Sequence, residues 1–146
     1  MRRRLVPAIL LAAALGFGLA ACTGDGEPDG RSATALLEAT GRVAVTPQEA
    51  QTVIGANPGI VIFDLRTAVE YGQGHLPNAY SLSYDASSFV YSIANLSQAA
   101  SYLVYGTDGD DFRAGAAADA LVQAGFIRVY VLEGGLAAWP GELTEE

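Results

Sequence analysis

Cys22 is the only cysteine in the chain. A thiolate is the side chain best suited to nucleophilic attack near neutral pH. No thiol follows residue 22, so covalent sulfur chemistry has no carrier in the rest of the protein. Other reactive groups are few. His75 is the only histidine; as a base it lacks an evident nucleophile partner, and ordering a turn is the simpler role. Asp64 and Arg66 end an apolar run, where they either line a pocket or form a buried ion pair. The segment Gly106-Thr107-Asp108-Gly109-Asp110-Asp111-Phe112-Arg113 crowds three carboxylates together. That crowding raises a cation site, but the spacing does not fit the twelve-residue calcium loop with alternating ligands and a terminal Glu. A solvated acidic loop is the plainer reading, and no metal or cofactor is expected.

The first residues explain where Cys22 sits. Arg2, Arg3 and Arg4 precede an apolar stretch from Leu5 to Ala21, and small residues lead into the cysteine. This is the layout of a secretory signal. A transmembrane helix is the competing reading. The stretch is at the short edge of the roughly 17–25 residues a span needs, and Pro7, Gly16 and Gly18 weaken it as a helix. Leu19-Ala20-Ala21-Cys22 resembles a bacterial lipobox. The resemblance implies lipidation of Cys22, removal of residues 1–21, and an exported protein anchored on the extracytoplasmic side of the membrane. Each buried CH₂ adds about 0.8 kcal/mol to such an anchor.

Removal of the three leader arginines takes the net charge from −8 to −11. The remaining chain has no lysine and five arginines against 16 acids. Such a surface repels nucleic acid and anionic headgroups, so membrane attachment must come from acyl chains. Residues 22–40 begin polar and Gly-rich and read as a flexible tether, with Thr34 to Glu38 either its end or a short frayed helix. Residues 41–146 are enough for one domain with a single core.

Within that domain strand and helix signals alternate. Arg42 to Val45 reads as a strand. Thr46-Pro47-Gln48-Glu49 opens a helix with a cap, a first-turn proline and a returning glutamate. Ile60 to Phe63 is an apolar run typical of a strand buried on both faces. Ala79 to Ser83 is a weaker strand, Ser87 to Asn95 a helix, Tyr102 to Tyr105 another buried strand. Ala114 to Ala124 is a helix closed by Gly125. Val129 to Leu132 is the last strand, and Gly134-Gly135 opens a short helix through Trp139, a lid on the core. Strands separated by helices predict an α/β fold with a parallel sheet covered on both faces. Ligands in such sheets sit beyond the carboxyl ends of the strands, here at the loop after Tyr105. Tyr84 and Tyr91 are placed to rim it.

Three segments together resemble the rhodanese family. They are Ile62-Phe63-Asp64-Leu65-Arg66; Glu70-Tyr71 with Gly74-His75-Leu76-Pro77-Asn78-Ala79; and Ala124-Gly125-Phe126 with Val129 to Gly135 and Ala138-Trp139. The resemblance implies a rhodanese-like fold with a central parallel sheet of about five strands. It also implies sulfur transfer by a cysteine at the end of the fourth strand. Here that position falls on Gly106. Thr107, the nearest hydroxyl, cannot carry a persulfide. Arg113 falls where the family often has a loop arginine, in a loop about two residues longer than the common one. Asp108, Asp110 and Asp111 place negative charge where an anionic donor would bind, which opposes binding. The expectation is therefore a lipid-anchored rhodanese-like domain without sulfur transfer, binding an envelope protein or a small polar ligand through its loop. The alternative is a rhodanese-related enzyme working through residues 106–113, either a sulfurtransferase or a metal-assisted hydrolase.

Overall fold

The computed structural model describes residues 30–145. Cys22, the leader over 1–21 and the first part of the tether lie outside the described residues. The chain runs α1 (Ala33–Glu38), β1 (Gly41–Val45), α2 (Pro47–Ala56), β2 (Val61–Asp64), α3 (Ala68–Gly72), β3 (Ala79–Ser81), α4 (Phe89–Ile93), β4 (Ser101–Tyr105), α5 (Phe112–Gln123) and β5 (Arg128–Leu132). A 3₁₀ turn over Leu136–Ala138 follows. The five strands form one sheet in the order β1-β5-β4-β2-β3, with every pairing parallel.

The central strand carries the fold's logic. Every residue of β4 is buried, and strand alternation sends successive side chains to opposite faces. Tyr102 and Val104 join Phe63, Val129 and Val131 beneath α4 and α5. Leu103 and Tyr105 join Ile62, Tyr130 and Leu132 on the face covered by α1 and α2. This two-sided burial explains the continuous apolar runs in the sequence.

Local chemistry sets the helix ends. Thr46 and Glu49 form a reciprocal capping box on α2, and Thr67 and Glu70 do the same on α3. At the far end of α5, the Phe126 N–H bonds to the Leu121 carbonyl and the Gly125 N–H to that of Val122. This is a Schellman closure, and Gly125 supplies the positive φ of 91° it requires.

Several boundaries differ from the sequence reading. β3 stops at Ser81, although the Leu82 and Tyr84 N–H groups still bond to the Asp64 and Leu65 carbonyls. α4 is shorter than expected and lacks a side-chain cap; Asp85 instead accepts from the Ser87 and Ser88 N–H groups in the turn before it. α5 starts at Phe112 because Asp111 caps it. The packed body also reaches further toward the N-terminus than the boundary at 41. Residues 33–38 are helical, Leu36 is fully buried, and the Tyr130 hydroxyl donates to its carbonyl at 2.8 Å. Arg31 binds the buried Glu49 carboxylate through Nε and Nη2, both at 2.9 Å. Residues 31–40 are thus part of the fold, not of a tether. Leu36→Ala should cost about 2–4 kcal/mol, read by urea unfolding. A loss under about 0.5 kcal/mol would show that α1 lies outside the cooperative unit.

Candidate functional site

All five strands end on one edge of the sheet because all run parallel. β2 delivers Asp64 there, with no exposed surface. Two residues on, Arg66 turns back to it. Arg66 Nε lies 2.9 and 3.0 Å from the two Asp64 oxygens, and Nη2 lies 2.5 Å from Oδ2. Nη2 also donates to the Gly74 carbonyl at 2.6 Å. The Tyr105 hydroxyl, at the end of β4, donates to Asp64 Oδ2 at 2.8 Å and accepts from the Leu76 N–H at 3.1 Å. Burial pushes the Tyr105 phenol well above its ordinary value. Asp64 and Arg66 therefore form a buried ion pair that ties the ends of β2 and β4 to the turn before β3.

His75 belongs to that turn. Its ring stacks on Tyr71 with centroids 3.7 Å apart, and Nδ1 lies 3.0 Å from the Tyr71 carbonyl. Its backbone pairs both ways with Thr144, and only 3% of it is exposed. These contacts are those of a packing residue.

Gly106 follows β4 and is buried at the root of the loop. The 3₁₀ turn after β5 clamps it: the Leu136 N–H bonds to the Gly106 carbonyl at 3.0 Å and the Ala137 N–H to that of Thr107 at 2.9 Å. Gly135, with φ of 58°, permits this approach, since a Cβ there would lie 2.6 Å from the Asp108 nitrogen.

The loop is closed by its own side chains. Asp111 Oδ2 accepts from the Thr107 N–H at 2.7 Å, and Oδ1 from the Arg113 N–H at 3.0 Å. Arg113 grips the same carboxylate through Nε at 2.8 and 3.0 Å and through Nη2 at 2.7 Å. Nη2 also donates to Thr107 Oγ1 at 2.9 Å, whose hydroxyl donates to Glu70 Oε1 at 3.0 Å. Glu70 thus caps α3 and braces the loop together. Burial raises the Asp111 carboxyl, but the Arg113 side chain and the two backbone donors more than offset this and bring it down to about 2. The Thr67 backbone N–H, then its hydroxyl, Thr107 and Arg113, hold Glu70 at about 2.

The three loop aspartates therefore differ. Asp111 is neutralised inside the loop. Asp108 and Asp110 are exposed, with Asp108 Oδ1 accepting from the Asp110 N–H. The expectation that all three present charge to a ligand is corrected for Asp111. Among the described residues, no three His, Cys, Asp or Glu side chains are grouped to hold a metal. A cavity of about 450 Å³ flanks the loop, lined by Arg42, Asp108, Asp110, Phe112 and Glu133 among others. Tyr84 packs against Phe89 and edge-on to Phe112, while Tyr91 is 81% exposed on α4. Trp139 rests on the α1/α2 side of the core, as a lid does. Sequence reasoning missed Glu70, Tyr105 and the capping role of Asp111. The Thr67–Glu70 spacing signals a cap, but nothing in the sequence signals its second use.

Residues 46–142 match the Rhodanese-like domain. The chain belongs to the rhodanese-like family. It is 30% identical over 110 residues to the uncharacterized protein YibN of Escherichia coli (strain K12), covering 75% of this chain and 76% of that protein. The rhodanese-like domain of the Alr3790 protein from Anabaena sp., solved by NMR, is 25% identical with a TM-score of 0.60, over 70% of this chain and 79% of that one. A rhodanese-like domain protein from Staphylococcus aureus shares the fold at 23% identity and a TM-score of 0.60, over 71% of this chain and 98% of that one. The five-stranded parallel sheet is therefore the family's sheet. In this rhodanese-like protein the fourth strand runs straight into Gly106.

Asp111 and Glu70 make stability depend on acid. Their folded-state carboxyls titrate near 2, below the roughly 4 of an unfolded chain. Their contribution is complete above about pH 5 and is lost as pH falls from there toward 2. The urea midpoint should drop across that window, and Asp111→Asn should flatten the drop. An equally steep drop in the variant would remove Asp111 from this account.

Proposed function

We propose that this protein is an exported lipoprotein, anchored through Cys22, whose rhodanese-like domain has lost sulfur transfer and serves as a binding module. The observation that carries the reading is Gly106 at the mouth of the loop after β4, in a chain with no thiol beyond residue 22. The family resemblance puts the reactive cysteine at that place. Glycine offers no nucleophile, and the Thr107 hydroxyl is already shared between Glu70 and Arg113. Around that position the Asp64–Arg66–Tyr105 network, Arg113 and the turn over Leu136–Ala138 build an ordered loop on the sheet edge. A scaffold kept without its nucleophile fits recognition of an envelope protein or small polar ligand, with no cofactor. The acidic surface favours a basic partner. A metal-assisted hydrolase in residues 106–113 would need converging free carboxylates, and Asp111 is committed to Arg113.

Two measurements test the two halves of this reading. The purified chain should show no turnover of thiosulfate and cyanide above a heat-denatured control; sustained turnover by clean protein would end the first half. Cells fed labelled palmitate should label the protein, and Cys22→Ser should abolish the label. Persistence of label in the variant would end the second.

A further inference from the structure

We propose that Asp111 is a built-in plug, filling the side-chain space of position 106 and shutting the loop from within, independently of the missing thiol. This goes beyond the binding-module reading and does not rest on it. An ideal Cβ on Gly106 would lie 2.3 Å from Asp111 Oδ2, 2.5 Å from Cγ and 2.9 Å from Cβ. Non-bonded carbon contacts settle near 3.5–4.0 Å, so all three approaches are prohibitive. Turning the carboxylate aside does not clear the space, because the Asp111 Cβ is part of the clash.

Asp111 is also held where it is. Its backbone is the N-cap of α5, a twelve-residue helix packed on the sheet. Its carboxylate takes the Thr107 N–H, the Arg113 N–H and the Arg113 side chain. Arg113 is steadied in turn by Thr107 Oγ1 and Glu70. Displacing the plug strands a guanidinium and two amides at once. Positions 106 and 111 are therefore coupled: with Asp111 in place, residue 106 must be glycine. Any change that gives position 106 a side chain needs a second change at 111. A thiol introduced at 106 alone would also face a carboxylate at contact range, which disfavours its ionised, reactive form.

The test is a cycle of Gly106→Ala, Asp111→Gly and the double variant in the full chain, read by thermal unfolding. Glycine removes the Cβ together with the carboxylate and is itself tolerated at an N-cap. Gly106→Ala should lower Tm by at least about 5 °C in the natural background and by under about 2 °C beside Asp111→Gly. A failure of Gly106→Ala to fold, rescued by Asp111→Gly, is the extreme form of the same result. Equal losses in the two backgrounds, or no loss in either, would overturn the proposal. A second arm places Gly106→Cys with and without Asp111→Gly and follows iodoacetamide labelling at position 106 by peptide mass spectrometry, with the same variant unfolded in urea as the reference. Labelling at 106 should be at least tenfold faster in the double variant, and equal rates would overturn the plug. Neither arm depends on turnover by the unsubstituted chain, so failure here and failure of the lost-activity reading are told apart.

Discussion

A carboxylate withdrawn from water must be paired on every side or it destabilises what holds it. Asp111 meets that demand with a guanidinium two residues away and two backbone N–H groups. The rest of the site follows from this pairing. It fixes where α5 begins, it draws Thr107 and Arg113 toward each other, and through Arg113 it links the loop to Glu70 on α3. It also removes the space beside Gly106. A single ion pair therefore sets helix start and loop shape together.

The Asp64–Arg66 pair does comparable work one strand away, with less exposure. Neither residue is more than 5% exposed, and the pair is held from two other segments: Arg66 Nη2 donates to the Gly74 carbonyl and Asp64 Oδ2 accepts from the Tyr105 hydroxyl. Replacing either member alone leaves a buried charge uncompensated, which costs more than the intact pair contributes. The pair joins the ends of β2 and β4 to the turn carrying His75. The two ion pairs make the carboxyl edge of the sheet rigid at neighbouring points.

Much of the fold was legible in the sequence. The apolar runs at 60–63 and 102–105 announced strands covered on both sides, and the Thr46–Glu49 spacing announced a capped helix. Gly125 announced a helix end. These signals are local, written within a few residues. The site was legible only in part. The loop after Tyr105 is reached from the parallel topology alone, and Gly106 stands buried at its root. What was not readable was orientation. Three aspartates in one loop look alike as letters, yet Asp111 turns inward to cap a helix while Asp108 and Asp110 face solvent. That difference depends on where α5 starts, and sequence had placed the start two residues late. Likewise the capping box of Thr67 and Glu70 has local spacing, but the bond from Thr107 to Glu70 spans 37 positions and leaves no local trace. The segment at 31–40 follows a polar, Gly-rich stretch and carries only one short apolar pair, Leu36-Leu37, so its sequence leaves tether and frayed helix both open; the buried Leu36 and the Arg31 clasp seat it.

That clasp has a mechanical consequence. Arg31 grips Glu49 at the start of α2 and reaches the Ala44 carbonyl near the end of β1. Because the strands run parallel, this is the same rim of the molecule from which the 106–113 loop projects. Tension on the chain ahead of residue 31 is thus borne by a guanidinium–carboxylate hinge beside the loop, not at the opposite pole. Under the proposed anchoring through Cys22, a leash on that side would turn the loop toward the surface that holds it, and its partners would be those within a short radius of that surface.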